Sequence, residues 1–481
     1  MPTGYLSTDQ PANQILGSAT MRQIPAGLTL LAATFAAAPF SSSASQQVTA
    51  FTNVNVIPMD RERVLEDQTV IVRDGRIAQI GPSRSTRVPD GARLVDGNGR
   101  YLIPGLAEMH AHIPPPRIQR FNLGRQWVED VLFLYVANGV TTVRGMLGDP
   151  SHLRLREQVE TGDVVGPRIW TSGPSVNGNS VQTPDSALRT PEFQQDAGYD
   201  FIKIHPGLTR ETFDSLDAAA DRVGIGFSGH VPAAVGIRRA LEARYSSIDH
   251  LDRYLEYLAG NEHASGQVSG FFGANLVDDI DESRIREIAR RTREAGVWNT
   301  PTQTLMDSYV TEESPESMAR RPEIRYMPPG MRRSWMDWKR NRSSQGPSQP
   351  QRNRFTEIRH RLIRALQDEG AGLLLGSDAP QVWNVPGFSA HRELQSIVAA
   401  GLTPYEALIT GTRNVATFFG IEDRAGTIAV GKYADLILLE ANPLTDITTT
   451  TRRAGVMLRG RWMSQQWIQD RLEQIAARYA Q

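Results

Sequence analysis

Cysteine is absent from this chain of 481 residues, and its absence excludes several kinds of chemistry. A protein without cysteine has no disulfide framework, no thiolate zinc site, no iron–sulfur cluster and no cysteine nucleophile. Any metal must then be held by histidine, carboxylate or another oxygen ligand. The chain has 9 histidines, so these residues are the first candidates for a functional site.

A strong charge of either sign is also missing, because 52 basic and 53 acidic side chains leave a formal net charge of −1. Balanced charge provides no electrostatic attraction to nucleic acid or to an acidic membrane surface, so neither is predicted as a partner. The composition, 40% hydrophobic and 22% charged, is typical of a globular protein. The length favours one large domain, of the size of a (β/α)8 barrel, together with a small one.

A targeting segment is predicted near the N-terminus. Arg22 precedes the uncharged run Ile24–Phe40, and the small residues Ser41–Ser45 follow it. This order predicts a secretory signal peptide cleaved near Ala44, with residues 1–45 as an N-terminal extension. The run is shorter than the roughly 20 apolar residues of a membrane anchor. We therefore expect a periplasmic or secreted protein without membrane attachment after cleavage.

Two β-rich segments lie at opposite ends of the remaining chain. Short apolar runs alternate with turns over residues 46–100, where Asp74-Gly75 is a hairpin signal because glycine adopts the positive φ of a tight turn. Similar runs return within residues 423–481, which also contain a predicted C-terminal helix. We predict one small β-sandwich built from both segments.

The intervening residues 101–422 alternate β-like runs with helix-length connectors, which predicts an α/β fold of the (β/α)8 TIM-barrel type. The eight runs are 102–112, 140–145, 167–173, 200–205, 225–230, 246–250, 296–304 and 373–378. An insertion at 311–353, rich in Arg, Ser, Pro, Gln and Trp, is expected to form a mobile lid, a surface loop or a disordered segment.

Histidines fall at the ends of several of these runs. His110 and His112 are two residues apart on a strand, so their side chains point to the same side. His230, His250 and Asp378 end the fifth, sixth and eighth runs. Because the carboxyl ends of barrel strands converge on the active site, the pattern predicts a site for a first-row divalent metal.

Lys203 interrupts the apolar run FIKI, where a bare ammonium group is costly to bury. Divalent cations nearby would also repel a protonated lysine. Reaction of the amine with carbon dioxide would convert the side chain into an anionic carbamate and remove both penalties. A salt bridge to a buried carboxylate is the alternative.

These residues, together with the segments GLAEMHAH, LTPYEALITGTRNVATFFG and AGTIAVGKYADLILLEANPL, resemble the metal-dependent amidohydrolase superfamily, and specifically its prolidase-like or imidazolonepropionase-like branch. The resemblance covers nearly all of residues 48–465. It implies two divalent ions, with zinc as the expected metal. The implied ligands are His110, His112 and Asp378 for one ion, His230 and His250 for the other, and carbamylated Lys203 as the bridge.

The resemblance also implies a reaction, which is hydrolysis of an amide bond in a dipeptide such as Xaa-Pro or in an N-acyl amino acid. A hydroxide shared by the two ions would attack the carbonyl, with Asp378 as general base. Three residues are candidates for substrate contact, namely Arg144, His205 and Tyr254. The alternatives are a salt bridge for Arg144, a role in covering the site for His205 and a packing role for Tyr254. Beyond this small-molecule or dipeptide substrate, the only partner expected is a second copy of the chain.

Three other functions stay open. A mononuclear relative would deaminate its substrate or open a ring such as a cyclic amidine, without a metal role for Lys203. GHVPAAVG lacks the glutamate that deaminases of the superfamily usually carry near the strand-five histidine. A lactonase or esterase would use the same site, because the same hydroxide attacks esters. A binding protein on an inactive scaffold would be expected to lose ligands, and none of the six is missing.

Overall fold

The structure, a computed structural model, describes residues 48–115 and 123–480, without the side chains of 343–345. The predicted signal peptide lies outside the described residues. None of the described helices is long and apolar enough to cross a bilayer. The strands are β1 (Val48–Val56), β2 (Leu65–Arg73), β3 (Arg76–Pro82), β4 (Arg93–Asp96), β5 (Tyr101–Pro104), β6 (Leu106–Ala111), β7 (Val140–Gly145), β8 (Arg168–Thr171), β9 (Ile202–Ile204), β10 (Phe227–Gly229), β11 (Ser247–Asp249), β12 (Trp298–Thr300), β13 (Leu436–Leu439), β14 (Arg453–Leu458) and β15 (Arg461–Ser464).

Helices alternate with the strands through the middle of the chain, so the protein is of the α/β class. They are α1 (Arg125–Ala137), α2 (Ser151–Thr161), α3 (Pro184–Asp196), α4 (Arg210–Val223), α5 (Gly236–Glu242), α6 (Tyr254–Leu258), α7 (Gly266–Ser269), α8 (Ile285–Ala295), α9 (Gln303–Val310), α10 (Pro315–Met318), α11 (Pro329–Gln345), α12 (Gln349–Glu369), α13 (Phe388–Ala399), α14 (Pro404–Thr410), α15 (Arg413–Phe419) and α16 (Gln465–Arg478).

One mixed sheet combines strands from both ends of the described chain. Its order is β15-β14-β13-β5-β1-β2-β3, with β4 also paired to β1, and β5 runs antiparallel to β13. Asp74 and Gly75, both at positive φ, make the predicted tight turn between β2 and β3. Phe51 and Trp462 pack edge to face across the two ends, with ring centroids 5.2 Å apart. The sheet therefore joins the two β-rich segments, while its closure into a sandwich and the domain boundaries stay predictions.

Parallel strands carry the rest of the α/β region. β6, β7 and β8 form one sheet and β9 to β12 form a second. Parallel bridges Ser172↔Phe201 and Val176↔Ile204 connect the β8 side to β9. The eighth predicted run is not a regular strand among the described residues. It is nevertheless bridged to β12 at Leu373 and to β6 at Ala379, so residues 373–379 lie between these two strands.

The helices are set by local sequence as well as by packing. In α4 the Thr209 side chain accepts a hydrogen bond from the Thr212 backbone, and Gly224 at φ +80° ends the helix in the left-handed conformation. Phe213 and Leu216, three residues apart, bury one face of this helix against the core. The side chain of Ser464 likewise caps the start of α16, which is the predicted C-terminal helix.

The insertion corrects one expectation, because residues 311–353 consist largely of helices rather than a mobile loop. The ammonium group of Lys339 on α11 donates to the backbone carbonyls of Ser308, Tyr309 and Thr311 at the end of α9. Cations are favoured at the carboxyl end of a helix, where carbonyl groups lack intrahelical partners.

Candidate metal centre

The six predicted ligands come together where the parallel strands end. His110 lies in β6 and His112 just beyond it, Lys203 lies within β9, and His230 and His250 directly follow β10 and β11. The ring centroids of His110 and His250 are 4.6 Å apart, and those of His250 and His230 are 4.7 Å apart. All six side chains are buried except that of His112, which is 12% exposed.

Asp378 is held in place by the segment that lies between β12 and β6. Its backbone N–H donates to the carbonyl of His110 at 3.0 Å. The buried Glu108 carboxylate accepts from both the backbone N–H and the hydroxyl of Ser377. The Gln381 amide donates to Oδ2 of Asp378 at 2.9 Å, which leaves Oδ1 to point at the histidines.

The donor set fits a divalent cation. Ligand atoms of His110, His250 and Asp378 all lie within 4.8 Å of one another. Nε2 of His112 and Oδ1 of Asp378 approach to 2.6 Å, yet neither atom has a hydrogen bond of acceptable angle among the described residues. Buried polar atoms that converge without hydrogen bonds are costly unless a further group, such as a cation, binds them.

The protonation states of the group also suit a metal. Burial, with a smaller contribution from Lys203, lowers the pKa of His110 to about 4. Burial places the pKa of His250 well below its ordinary value. For Asp378, burial acts to raise the pKa, but the neighbouring His110 and His112 outweigh it and lower the pKa. Neutral imidazoles and an ionised carboxylate are the forms that bind metals.

Lys203 lies at the base of this group. Its ammonium nitrogen is 2.9 Å from Oδ2 of Asp249, and both side chains are fully buried. The described side chain thus forms the salt bridge that was the alternative to carbamylation. Burial nevertheless lowers the pKa of Lys203, which increases the fraction of neutral amine available to react with carbon dioxide.

Asp249 is the residue of this cluster that sequence reasoning missed. Its carboxylate contacts Lys203, lies 3.1 Å from Nδ1 of His110 and 3.3 Å from the Arg144 guanidinium. Burial acts to raise its pKa, yet the cationic neighbours hold it well below the usual range. Strand alternation would turn Asp249 and His250 to opposite sides. His250 instead has φ +63°, which redirects the chain and allows both side chains to face the site.

Two residues predicted as candidates for substrate contact make their polar contacts inside the protein. Arg144 is fully buried beneath the site and donates to the carbonyl of Met109 and the hydroxyl of Ser247, besides its contact with Asp249. Tyr254 is also fully buried, and its hydroxyl hydrogen-bonds to Thr292 and Asn299. These contacts agree with the salt-bridge and packing alternatives, and substrate contact by either residue stays a prediction.

His205 lies next to the site, with its ring centroid 5.2 Å from that of His230, and its substrate contact stays a prediction. His230 itself contacts the Asp252 carboxylate through Nδ1 at 3.1 Å. Nδ1 of His250 is 2.8 Å from the Thr302 hydroxyl. A hydrogen bond at one ring nitrogen fixes the orientation of a ligating histidine and directs its other nitrogen toward the metal.

The backbone approaches Lys203 very closely at Gly229. This residue has φ +129°, and a Cβ there would lie 2.4 Å from the carbonyl oxygen of Ile204 and 2.8 Å from Cδ of Lys203. Glycine is therefore required at the end of β10.

Comparison with known proteins decides the family. The sequence pattern of the Amidohydrolase family matches residues 101–463. The chain belongs to the amidohydrolase family. As an amidohydrolase it is similar to the solved structure of bottromycin amidohydrolase, with a TM-score of 0.67, 23% identity and coverage of 90% of each chain. A Xaa-Pro dipeptidase structure with bound methionine gives a TM-score of 0.62 at 19% identity, covering 87% of this chain and 100% of the other.

A curated relative of this amidohydrolase is adenine deaminase 3 of Rhizobium meliloti, 22% identical over 409 residues. The matched segment is 83% of this chain and 55% of that protein, so the chain spans about half the length of the relative. At these identities the solved structures establish the shared fold alone.

Proposed function

We propose that this amidohydrolase is a binuclear metal-dependent hydrolase that cleaves an amide bond, in a dipeptide such as Xaa-Pro or in an N-acyl amino acid. The observation that carries the proposal is the convergence of His110, His250 and Asp378 with the unsatisfied Nε2 of His112. The proposal includes closure of the parallel strands into a (β/α)8 barrel, supported by the bridges on both sides of residues 373–379.

The proposed ligands divide between two ions, with zinc as the expected metal. His110, His112 and Asp378 would hold one ion, His230 and His250 the other, and Lys203 as a carbamate would connect them. When bound, divalent ions lower the pKa of water and polarise a carbonyl group. The ionised Asp378, whose Oδ2 is held by Gln381, is positioned to accept a proton at Oδ1 and to return it to the leaving amine.

The buried surroundings support these roles. Asp249 would orient His110 through Nδ1 and Lys203 through its nitrogen, and Arg144 would in turn hold Asp249. A ligand fixed by such a partner loses little freedom when the metal binds. Export to the periplasm or the medium, and association with a second copy, complete the proposal from the sequence.

Deamination is the second candidate, because a curated relative that matches most of the chain is an adenine deaminase. A mononuclear site without a metal role for Lys203 would serve that reaction. An ester or lactone substrate would use the same site as the amide. Adenine, esters and amides therefore belong in one substrate panel, with Xaa-Pro dipeptides and N-acyl amino acids read by release of amine.

Metal content per chain tests the proposal before any substrate is known. Protein prepared with zinc and bicarbonate is expected to hold about two ions, and Lys203→Ala and His250→Ala are expected to lose at least one. His263→Ala serves as the matched control, because His263 is 54% exposed and lies outside the cluster. About one ion per chain, unchanged in Lys203→Ala, would reject the binuclear site. Adenine turnover without amide turnover would establish the deaminase instead.

A further inference from the structure

An aromatic side chain covers two of the proposed metal ligands. The ring of Phe272 lies 5.0 Å from that of His250 and 6.0 Å from that of His230, centroid to centroid. It is nearly parallel to His230, with an interplanar angle of 16°. Phe272 belongs to the long connection that follows β11.

The backbone of Phe272 is strained. Its φ of +51° and ψ of +43° are left-handed, a conformation that bulky side chains rarely adopt. Gly270 and Gly273, both at positive φ, flank it and let the chain make this sharp path. Strained residues persist where surrounding structure enforces them, and they cluster at sites that contact ligands.

Other aromatic residues hold the ring in place from behind. Phe271 meets Phe272 edge to face at 4.8 Å, and Tyr309 lies 4.4 Å from Phe271. Trp338 of the insertion helix α11 packs against Phe271 at 6.1 Å. We call Phe271, Phe272, Tyr309 and Trp338 the aromatic wall. Phe272 is its member nearest to the histidines.

We propose that Phe272 determines substrate specificity by contacting the group next to the scissile carbonyl, and that it selects aromatic or bulky apolar groups over a methyl group. The inference rests on the proposed function, with the scissile carbonyl placed at the ion that His230 and His250 would hold. An aromatic ring beside that carbonyl would offer apolar area and offset or edge-to-face contacts, whereas it would offer a carboxylate or an ammonium group no hydrogen bond.

The test compares two dipeptides that differ only in the group next to the carbonyl, Phe-Pro and Ala-Pro. Metal-loaded protein should prefer Phe-Pro by about 10- to 30-fold in kcat/KM, the range expected for partial burial of a phenyl ring. Phe272→Asn removes the ring and keeps a residue that tolerates the left-handed backbone, so the preference should fall to within about 3-fold. Phe272→Tyr retains an aromatic ring and should keep the preference for Phe-Pro.

Controls separate specificity from structural packing. Phe193→Asn, at a phenylalanine that is 68% exposed, should leave both the preference and the melting temperature unchanged. Zinc content should be equal in the wild type and Phe272→Asn. Equal loss of kcat/KM for both dipeptides in Phe272→Asn, with the preference intact, would reduce Phe272 to a packing residue and overturn the inference.

Failure of the proposed function can be recognised separately. If neither dipeptide is cleaved, the same ratio is measured with phenylacetyl and acetyl esters. If esters also fail, binding of phenylacetate and acetate to the zinc-loaded protein replaces turnover. A wild-type preference for the phenyl compound that disappears in Phe272→Asn supports the inference under any of these readouts. Equal values for the two compounds in the wild type overturn it.

Discussion

Asp249→Asn tests a buried carboxylate that contacts Lys203, His110 and Arg144. The substitution keeps the volume of the side chain and removes its charge. Asp249 is fully buried, 2.9 Å from Lys203, 3.1 Å from His110 and 3.3 Å from Arg144. The variant thus leaves buried cations without their carboxylate, a change that typically costs about 3–5 kcal/mol. Domains are stable by only about 5–15 kcal/mol, so the loss should be large.

The assay is urea unfolding of metal-free protein, followed by tryptophan fluorescence, so that metal binding does not contribute. Asp214→Asn is the matched control, because Asp214 is 42% exposed and contacts Arg210 and Arg239. A solvent-exposed ion pair contributes about 0–1 kcal/mol. Lys203→Met combined with Asp249→Asn should cost less than the two single changes together, because the double variant removes both partners. A cost below about 1 kcal/mol for Asp249→Asn, or additive costs in the double variant, would refute the reasoning.

Three further predictions use the same unfolding measurement. Gly229→Ala should cost more than about 2 kcal/mol, and it should lower zinc content by displacing Lys203. Gly224→Ala is the control, because it has open space for the new Cβ and should cost about 1 kcal/mol. Equal costs for the two variants would contradict the close approach at Gly229. Lys339→Met should cost about 1–3 kcal/mol by leaving the carbonyls at the end of α9 unpaired, and an unchanged midpoint would exclude that role. Burial raises the pKa of Glu393 to about 8, so its contribution is most favourable below the unfolded pKa near 4.5 and is lost as pH rises through 8. The stability of Glu393→Gln relative to the wild type should therefore increase from pH 6 to pH 9. A stability difference that does not change with pH would contradict the raised pKa of Glu393.

Much of the metal cluster was predictable because its signal is local. A histidine at the end of an apolar run needs no distant information to be recognised, and the spacing of His110 and His112 puts both on one side of a strand. The buried charge of Lys203 was equally visible inside FIKI. What the local pattern could not supply was the partner of Lys203, because Asp249 lies 46 residues away along the chain.

The internal contacts of Arg144 and Tyr254 were hidden for the same reason. Arg144 sits at a strand end, as the ligands do, but its guanidinium turns inward to the carbonyl of Met109 and to Asp249. The hydroxyl of Tyr254 likewise finds Asn299, 45 residues away. A polar side chain at a strand end can face the substrate or the protein interior, and only the packing of other elements decides between them.

The amino-acid sequence by itself determined the alternation of strands and helices, the absence of thiolate chemistry and the positions of the histidines, since these follow from composition and short-range periodicity. The tertiary structure decided which groups meet. It joined the two β-rich segments in one sheet, ordered the insertion as helices around Lys339, and laid Phe272 over His230 and His250. Such contacts depend on long-range packing and on left-handed backbone at His250 and Phe272, where local propensity is overridden because neighbouring elements enforce the strain.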